Sequence, residues 1–181
     1  MRGRRCTSAV PSVDGMVVTV ELLPDPDTEA RIRADWARLA DAGLSSMARH
    51  PSPSNRPHLT LLVRGELPVT RFDAALALLP VTLRLSAPVV FRHGDRGVLA
   101  RGVELTEELR ALHRAAHDAV PPGDDAPHTR PGEWRPHVTL ARRLRMSDLD
   151  RALGLIGQPH DGAGLALRRW DSAAARVTPL G

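Results

Sequence analysis

The sequence predicts an α+β fold on three observations. Runs of β-branched residues alternate with amphipathic stretches, neighbouring strand-like segments stand close enough to pair antiparallel, and the second half partly repeats the order of the first. Residues 15–22 read as a first strand, rich in valine and threonine. Asp27 and Thr28 are suited to cap a helix running to about Ala42, with Ile32, Trp36, Leu39 and Ala40 on its buried face and Gly43 as its stop. A loop from Pro51 to Pro57 leads into a strand over 58–64. A helix is expected from Thr70 to Leu79, ended by Pro80, then strands over 81–91 and 97–105 joined by a turn at 92–96. Thr106, followed by Glu107 and Glu108, starts a helix reaching Val120, which Pro121 and Pro122 stop. A polar loop over 123–134 precedes a strand at 137–142, a helix from Ser147 to about Leu155, a strand at 165–172 and a short last strand.

The length of 181 residues fits one domain, or two small lobes sharing one core. A hydrophobic share of 42% and a charged share of 25% are ordinary for a soluble globular chain. Apolar runs are far shorter than the roughly 20 residues that cross a bilayer, and no signal-peptide core follows Arg2, Arg4 and Arg5. A cytoplasmic protein is therefore expected, with residues 1–14 a disordered tail or an upstream start before Met16, and 15–181 a single domain. The lone cysteine, Cys6, excludes an internal disulfide. Net charge is +4 and every basic residue is an arginine, but 21 acidic residues are interspersed, so composition alone does not mark a nucleic-acid binder.

One pattern carries chemistry. Arg56-Pro57-His58-Leu59-Thr60-Leu61 recurs as Arg135-Pro136-His137-Val138-Thr139-Leu140, 79 residues on. Each copy follows a proline-bearing loop and opens a strand, where the proline keeps the chain extended. On a strand, residues two apart share a face, so each His and its Thr project together while Leu59, Leu61, Val138 and Leu140 bury the other side. Cleaving a phosphodiester needs a base on one side of phosphorus and an acid on the other, and two imidazoles titrating near neutrality can supply both. Threonine hydroxyls can donate to non-bridging oxygens as charge grows there. The motifs lack carboxylates at ligand spacing, which fits a two-metal hydrolase poorly. A single His-x-Thr on a strand is common; two copies sharing six residues of context are hard to obtain by chance.

On these motifs, the sequence resembles the two-histidine (2H) phosphoesterase superfamily, in particular its bacterial 2′–5′ RNA ligase and cyclic phosphodiesterase branch. The likeness runs over nearly all of residues 15–175, including the opening strand and helix and the hairpin from Phe91 to Val103. It implies two pseudo-symmetric lobes whose mainly antiparallel sheets line a central cleft, with helices outside. It also implies hydrolysis of a 2′,3′-cyclic phosphate to a 2′-phosphate, or 2′–5′ RNA joining, without cofactor or metal. Carried over by position, His58 and His137 are the catalytic pair, and Thr60 and Thr139 bind the phosphate. Which histidine is base and which is acid stays open. The implied partner is RNA ending in a 2′,3′-cyclic phosphate or holding a 2′–5′ linkage, or a small cyclic nucleotide. A monomer is expected, since nothing demands a dimer. A module that only binds nucleotide phosphate is the reading from another class.

Further candidates surround the motifs. Aromatic residues are only 3% and tyrosine is absent, so few rings can stack on bases. Trp36 falls on an apolar helix face, Phe91 sits in the hairpin, and Trp134 beside the second motif is the expected cleft aromatic. Arg56 and Arg135 precede the motifs, and Arg142 and Arg143 follow the second. Regular alternation places Arg143 on the His137 face, and a bulge would give that place to Arg142. His113 and His117 have a zinc-binding spacing, but Arg114 stands where a protease motif needs Glu, so a solvated helix face is expected. The 123–134 loop, with His128 and Arg130, reads as a lid or a plain connector. His50, His93 and His160 read as surface residues.

Overall fold

The computed structural model describes residues 16–181, so the expectations for residues 1–14, Cys6 included, lie outside the described residues. The chain forms β1 (Val18–Pro24), α1 (Pro26–Asp41), β2 (Leu59–Arg64), α2 (Asp73–Leu76), β3 (Val81–His93) and β4 (Arg96–Val103). These are followed by α3 (Glu107–Asp118), β5 (His137–Arg145), α4 (Leu149–Leu153), β6 (His160–Asp171) and β7 (Arg176–Leu180). The architecture is α+β, as the sequence predicts. Among the described residues, no helix is long and apolar enough to cross a membrane.

Among the described residues, seven strands pair antiparallel in the order β1-β2-β5-β4-β3-β6-β7. A further pairing joins β1 to β6. The first part of β6, His160 to Gly164, pairs with β3, and its remainder, through Asp171, pairs with β1. One long strand thus belongs to both halves of the sheet. On the other side the halves meet at β2 and β5, through a single residue pair, Leu59 with Val138. One pair of contacts is a seam rather than a ladder, and the two His-x-Thr motifs flank it.

Helices α1 and α3 cover the apolar side of the sheet, α1 against β5 and β6 and α3 against β2 and β3. Leu59, Leu61 and Leu140 are fully buried there and Val138 nearly so, joined by Ile32, Trp36 and Leu39 from α1 and Leu109 and Leu112 from α3. At ~25 cal/mol per Å² of buried apolar surface, this shared layer is the main force holding both motif strands in place.

Local chemistry explains where elements begin. Asp25, rather than Asp27 or Thr28, caps α1: its carboxylate accepts the Thr28 amide at 2.9 Å, and Pro26 takes the first turn, where its missing N–H is no loss. Gly43, at φ 74°, closes the helix as expected. Thr106 caps α3 by accepting the Leu109 amide at 3.2 Å. Two expected helices are cut short. The one expected over 70–79 is a single turn, Asp73–Leu76, because its Phe72 cap makes no side-chain hydrogen bond and the following leucines run straight into Pro80. The one expected from Ser147 is Leu149–Leu153, after a 3₁₀ turn at Met146–Asp148. Strand β6 starts five residues before the predicted 165, and His160 is its half-buried first residue rather than a surface side chain. Gly162 and Gly164 disguise it. A methyl group on Gly164 would lie 2.7 Å from a Leu22 methyl carbon, so the glycine is there for close packing and not for a turn.

Candidate active site

The Leu59–Val138 pair sets the register of the seam. One antiparallel step to either side places His58 across from Thr139, and Thr60 across from His137. All four side chains therefore share the face opposite Leu59 and Val138. In a regular ladder, directly opposed Cβ atoms are about 4.5–5.5 Å apart and diagonal ones about 7–8 Å. The two histidines are diagonal neighbours, a spacing that leaves room for one phosphate between their rings. The same alternation appears in exposure, with His58, Thr60, His137 and Thr139 half-buried and the residues between them buried.

The shared Arg-Pro-His context has a direct role. His58 Nδ1 lies 2.8 Å from the Arg56 carbonyl and His137 Nδ1 lies 2.7 Å from the Arg135 carbonyl. A carbonyl only accepts, so each Nδ1 carries the hydrogen and each Nε2 is left to exchange a proton. Burial draws both imidazoles below their usual pKa. For His58, the Glu21 carboxylate and the Arg56 carbonyl oppose that fall, while Arg168 and Arg142 add to it. For His137, the Arg135 carbonyl alone opposes it, while positive charge on His128, His58 and Arg142 adds to it. His58 and His137 are thus close enough to feel each other's charge.

The surroundings of the two rings differ. Phe91, on the β3–β4 hairpin, packs on His137 with ring centroids 4.7 Å apart and planes inclined by 48°. His58 instead meets Glu21, whose Oε1 lies 3.5 Å from Nε2. Glu21 is 3% exposed. It accepts the Thr19 hydroxyl at 2.7 Å and Arg168 Nε at 2.6 Å. Burial alone would raise its carboxyl, but His58, Arg168 and Thr19 outweigh burial and hold it below the ordinary carboxylate value. Sequence reasoning missed Glu21 and Arg168. The available signal was a charged residue inside the apolar run Val17-Val18-Thr19-Val20-Glu21-Leu22-Leu23, since a buried carboxylate must be paired. Among the described residues, no three His, Cys, Asp or Glu side chains converge as a metal-binding group.

Two indoles hold the threonine strands. Trp36 on α1 donates to the Thr139 carbonyl at 3.0 Å, and Trp134 donates to the Thr60 carbonyl at 2.9 Å. Trp134 therefore belongs to the core and not to the cleft where the sequence placed it: it is 6% exposed and its ring stacks on His113 at 4.0 Å. His113 and His117 are buried rather than solvated. His113 Nε2 donates to the Thr129 carbonyl at 3.0 Å. Burial, aided by His117, draws His113 down to about 4. Asp125 receives Arg64 Nε at 2.5 Å and lies 3.4 Å from His117 Nδ1, and the Ala126 amide donates to the Val63 carbonyl at 2.9 Å. The 123–134 loop is thus a buttress fastened to β2, and it brings His128 within charge range of His137.

The arginines divide. The Arg56 side chain turns away from the motif to Glu29, at 2.5 Å. Arg135 is exposed, and its backbone carbonyl serves His137. Beyond His137, β5 carries two bulges. Between the pairs Ala100–Thr139 and Leu99–Ala141 it gains one residue on β4, and between Leu99–Ala141 and Gly97–Leu144 it gains another. Arg143 takes the strain at φ 56°. The bulges give Arg142 the place that regular alternation assigned to Arg143, and its charge reaches both imidazoles.

A family model described as the 2′-5′ RNA ligase superfamily matches residues 24–180. No curated protein matches the sequence. Among solved structures, the chain is similar to E. coli LigT complexed with 3′-AMP, at 17% identity and a TM-score of 0.54, over 92% of this chain and 95% of that one. It is also similar to Kluyveromyces marxianus Usb1, at 13% identity and a TM-score of 0.46, over 91% of this chain and 97% of the other. Usb1 with uridine monophosphate gives 13% identity and a TM-score of 0.45, over 94% of this chain and 99% of that one.

Proposed function

The chain belongs to the 2′-5′ RNA ligase superfamily, and we propose that within it His58 and His137 hydrolyse a 2′,3′-cyclic phosphate to a 2′-phosphate by acid–base catalysis. The observation that carries this reading is the seam: two imidazoles with Nδ1 hydrogens committed to carbonyls, so that proton exchange falls to Nε2, set diagonally with a threonine opposite each. Phosphorus sits between them. One Nε2 takes a proton from water as its oxygen bonds to phosphorus. The bond from phosphorus to the 3′ oxygen breaks, and the other Nε2 protonates that oxygen. Thr60 and Thr139 donate to the two non-bridging oxygens. No step calls for a metal or cofactor. With a 5′-hydroxyl in place of water, the same proton movements form a 2′–5′ linkage, so ligation is the second activity this site supports.

The arginines favour a nucleic acid end over a free mononucleotide. Arg92, Arg96, Arg142, Arg143 and Arg145 are exposed at the β3–β4 hairpin and the adjoining part of β5, and none is paired with a carboxylate among the described residues. Arg96 and Arg145 stand directly opposite each other across the ladder. Facing like charges is unfavourable unless an anion joins them, and a phosphate backbone leaving the site past Phe91 would supply one. LigT, whose fold the chain shares, was solved with 3′-AMP, which accords with a nucleotide phosphate as ligand.

The test is phosphorus NMR of an RNA oligonucleotide with a 2′,3′-cyclic end, incubated with the protein and excess chelator. Conversion to the 2′-phosphate is expected, with the rate reduced by at least about 10²-fold in His58→Ala or in His137→Ala alone. Binding without turnover, with histidine variants that lose affinity only, would make this a phosphate-binding module instead.

A further inference from the structure

The two halves of the site are related by the seam, and they differ at one position. On β1, Glu21 pairs with Thr60; on β4, the residue paired with Thr139 is Ala100. A buried carboxylate in one half thus stands where the other has a methyl group. Glu21 faces the His58 side only, with Oε1 at 3.5 Å from Nε2. Its other oxygen is fixed by Arg168 Nε at 2.6 Å. Arg168 is the residue paired with Glu21 on β6, and its Nη1 is tied to the Ser54 carbonyl at 3.0 Å, in the loop that leads to His58.

Apart from one another, the two rings feel charge chiefly from β1, β5, β6 and the 123–134 loop. His58 meets Glu21 from β1, Arg168 from β6, and Arg142 and His137 from β5. His137 meets His58, Arg142 and His128, all cationic when charged, and the uncharged ring of Phe91. Among the described residues, a carboxylate lies within ion-pair distance of His58 and none does of His137. Since Nδ1 of His58 already donates to the Arg56 carbonyl, the acceptor-only carboxylate favours a hydrogen on Nε2 and hence the imidazolium.

Resting on the reading of His58 and His137 as the reacting pair, we infer that Glu21, held by Arg168, is a positioning residue that keeps the Nε2 proton on His58, so that His58 is the acid and His137 the base. Glu21 is too buried, and its oxygens too fully engaged, to touch substrate. It acts through His58. Arg168 keeps Glu21 ionised and at the same time takes part of its charge, so the proton on His58 is retained but can still be given up to the 3′ oxygen.

The first test needs no turnover: proton NMR titration of the histidine Cε1 hydrogens in the full chain, assigned with His58→Asn and His137→Asn. His58 should titrate above His137. Glu21→Gln keeps the acceptor for Thr19 and removes the charge, and should lower the His58 titration by about one unit or more while moving His137 much less. Arg168→Gln leaves the carboxylate to His58 and should raise it. A merely structural role would shift both histidines together or neither. Either of those results, or a His58 that titrates below His137 in the unaltered protein, overturns the inference. Should Glu21→Gln fail to fold, the order of the two titrations and the Arg168→Gln shift still decide.

A second arm reads the roles. A phosphodiester with a nitrophenolate leaving group needs no acid, so His58→Ala should recover at least about tenfold in rate relative to the RNA substrate, and His137→Ala should not. Recovery in His137→Ala instead would reverse the assignment. If neither substrate is turned over but the titrations behave as stated, the proposed reaction fails and the Glu21 device stands.

Discussion

At the scale of single residues, the site depends on the fate of four nitrogens. Each Nδ1 is tied to the carbonyl two residues back, which fixes the tautomer without any side chain from elsewhere. In both copies the arginine serves the histidine through its backbone carbonyl, across a proline that keeps the chain extended, while the Arg56 side chain goes to Glu29 and Arg135 is exposed. The sign of the pH dependence follows. The base must be unprotonated, so kcat/KM rises as pH climbs through its pKa; the acid must be protonated, so kcat/KM falls above its own. Burial sets both below 6.5. A bell-shaped profile for the free enzyme with its maximum below pH 6.5 is expected, and an optimum above that value would contradict the assigned environments. The two motifs were legible as a pair because a repeated six-residue pattern stands out in one dimension, and the seam brings the copies side by side. Glu21 and Arg168 were not, because they lie 147 residues apart and become one ion pair only through the β1–β6 ladder.

At the scale of elements, the motif strands are held from behind. Strands β2 and β5 meet at one residue pair only, so carbonyls of both strands near the seam need partners from outside the sheet. Trp36 and Trp134 supply them to the two motif threonines. Removing a donor from a buried carbonyl costs more than the bond itself contributes. Trp36→Phe and Trp134→Phe are each expected to lower unfolding free energy in urea by about 1–3 kcal/mol. A loss below about half a kcal/mol for either would show that the indole contacts are incidental. A sequence reading could place Trp36 on a buried helix face from its spacing, since periodicity reports burial. Trp134 sits in a loop, where no periodicity exists, and proximity to His137 in sequence misled. The bulges in β5 were likewise beyond alternation, which assumes a regular ladder. Arg142 reaches the imidazoles because Arg143 does not follow the pleat.

At the scale of the molecule, closure through β6 is what turns two similar halves into one site. Local signals identified β3, β4 and the helix-covered motif strands, because turns and apolar alternation are short-range features. The pairing order was not readable. Strand β6 joins β3 by its first residues and β1 by its last, and Gly162, close against Thr28, and Gly164, close against Leu22, conceal where it starts. That strand holds the halves together on one side so that they can meet at a single pair on the other, and the histidines lie to either side of that pair. A crystal structure with a bound 2′-nucleotide tests this arrangement most directly. The phosphorus is expected between His58 Nε2 and His137 Nε2, with both threonine hydroxyls donating to its oxygens. A phosphate bound to one histidine alone, or bound away from the Leu59–Val138 seam, would contradict it.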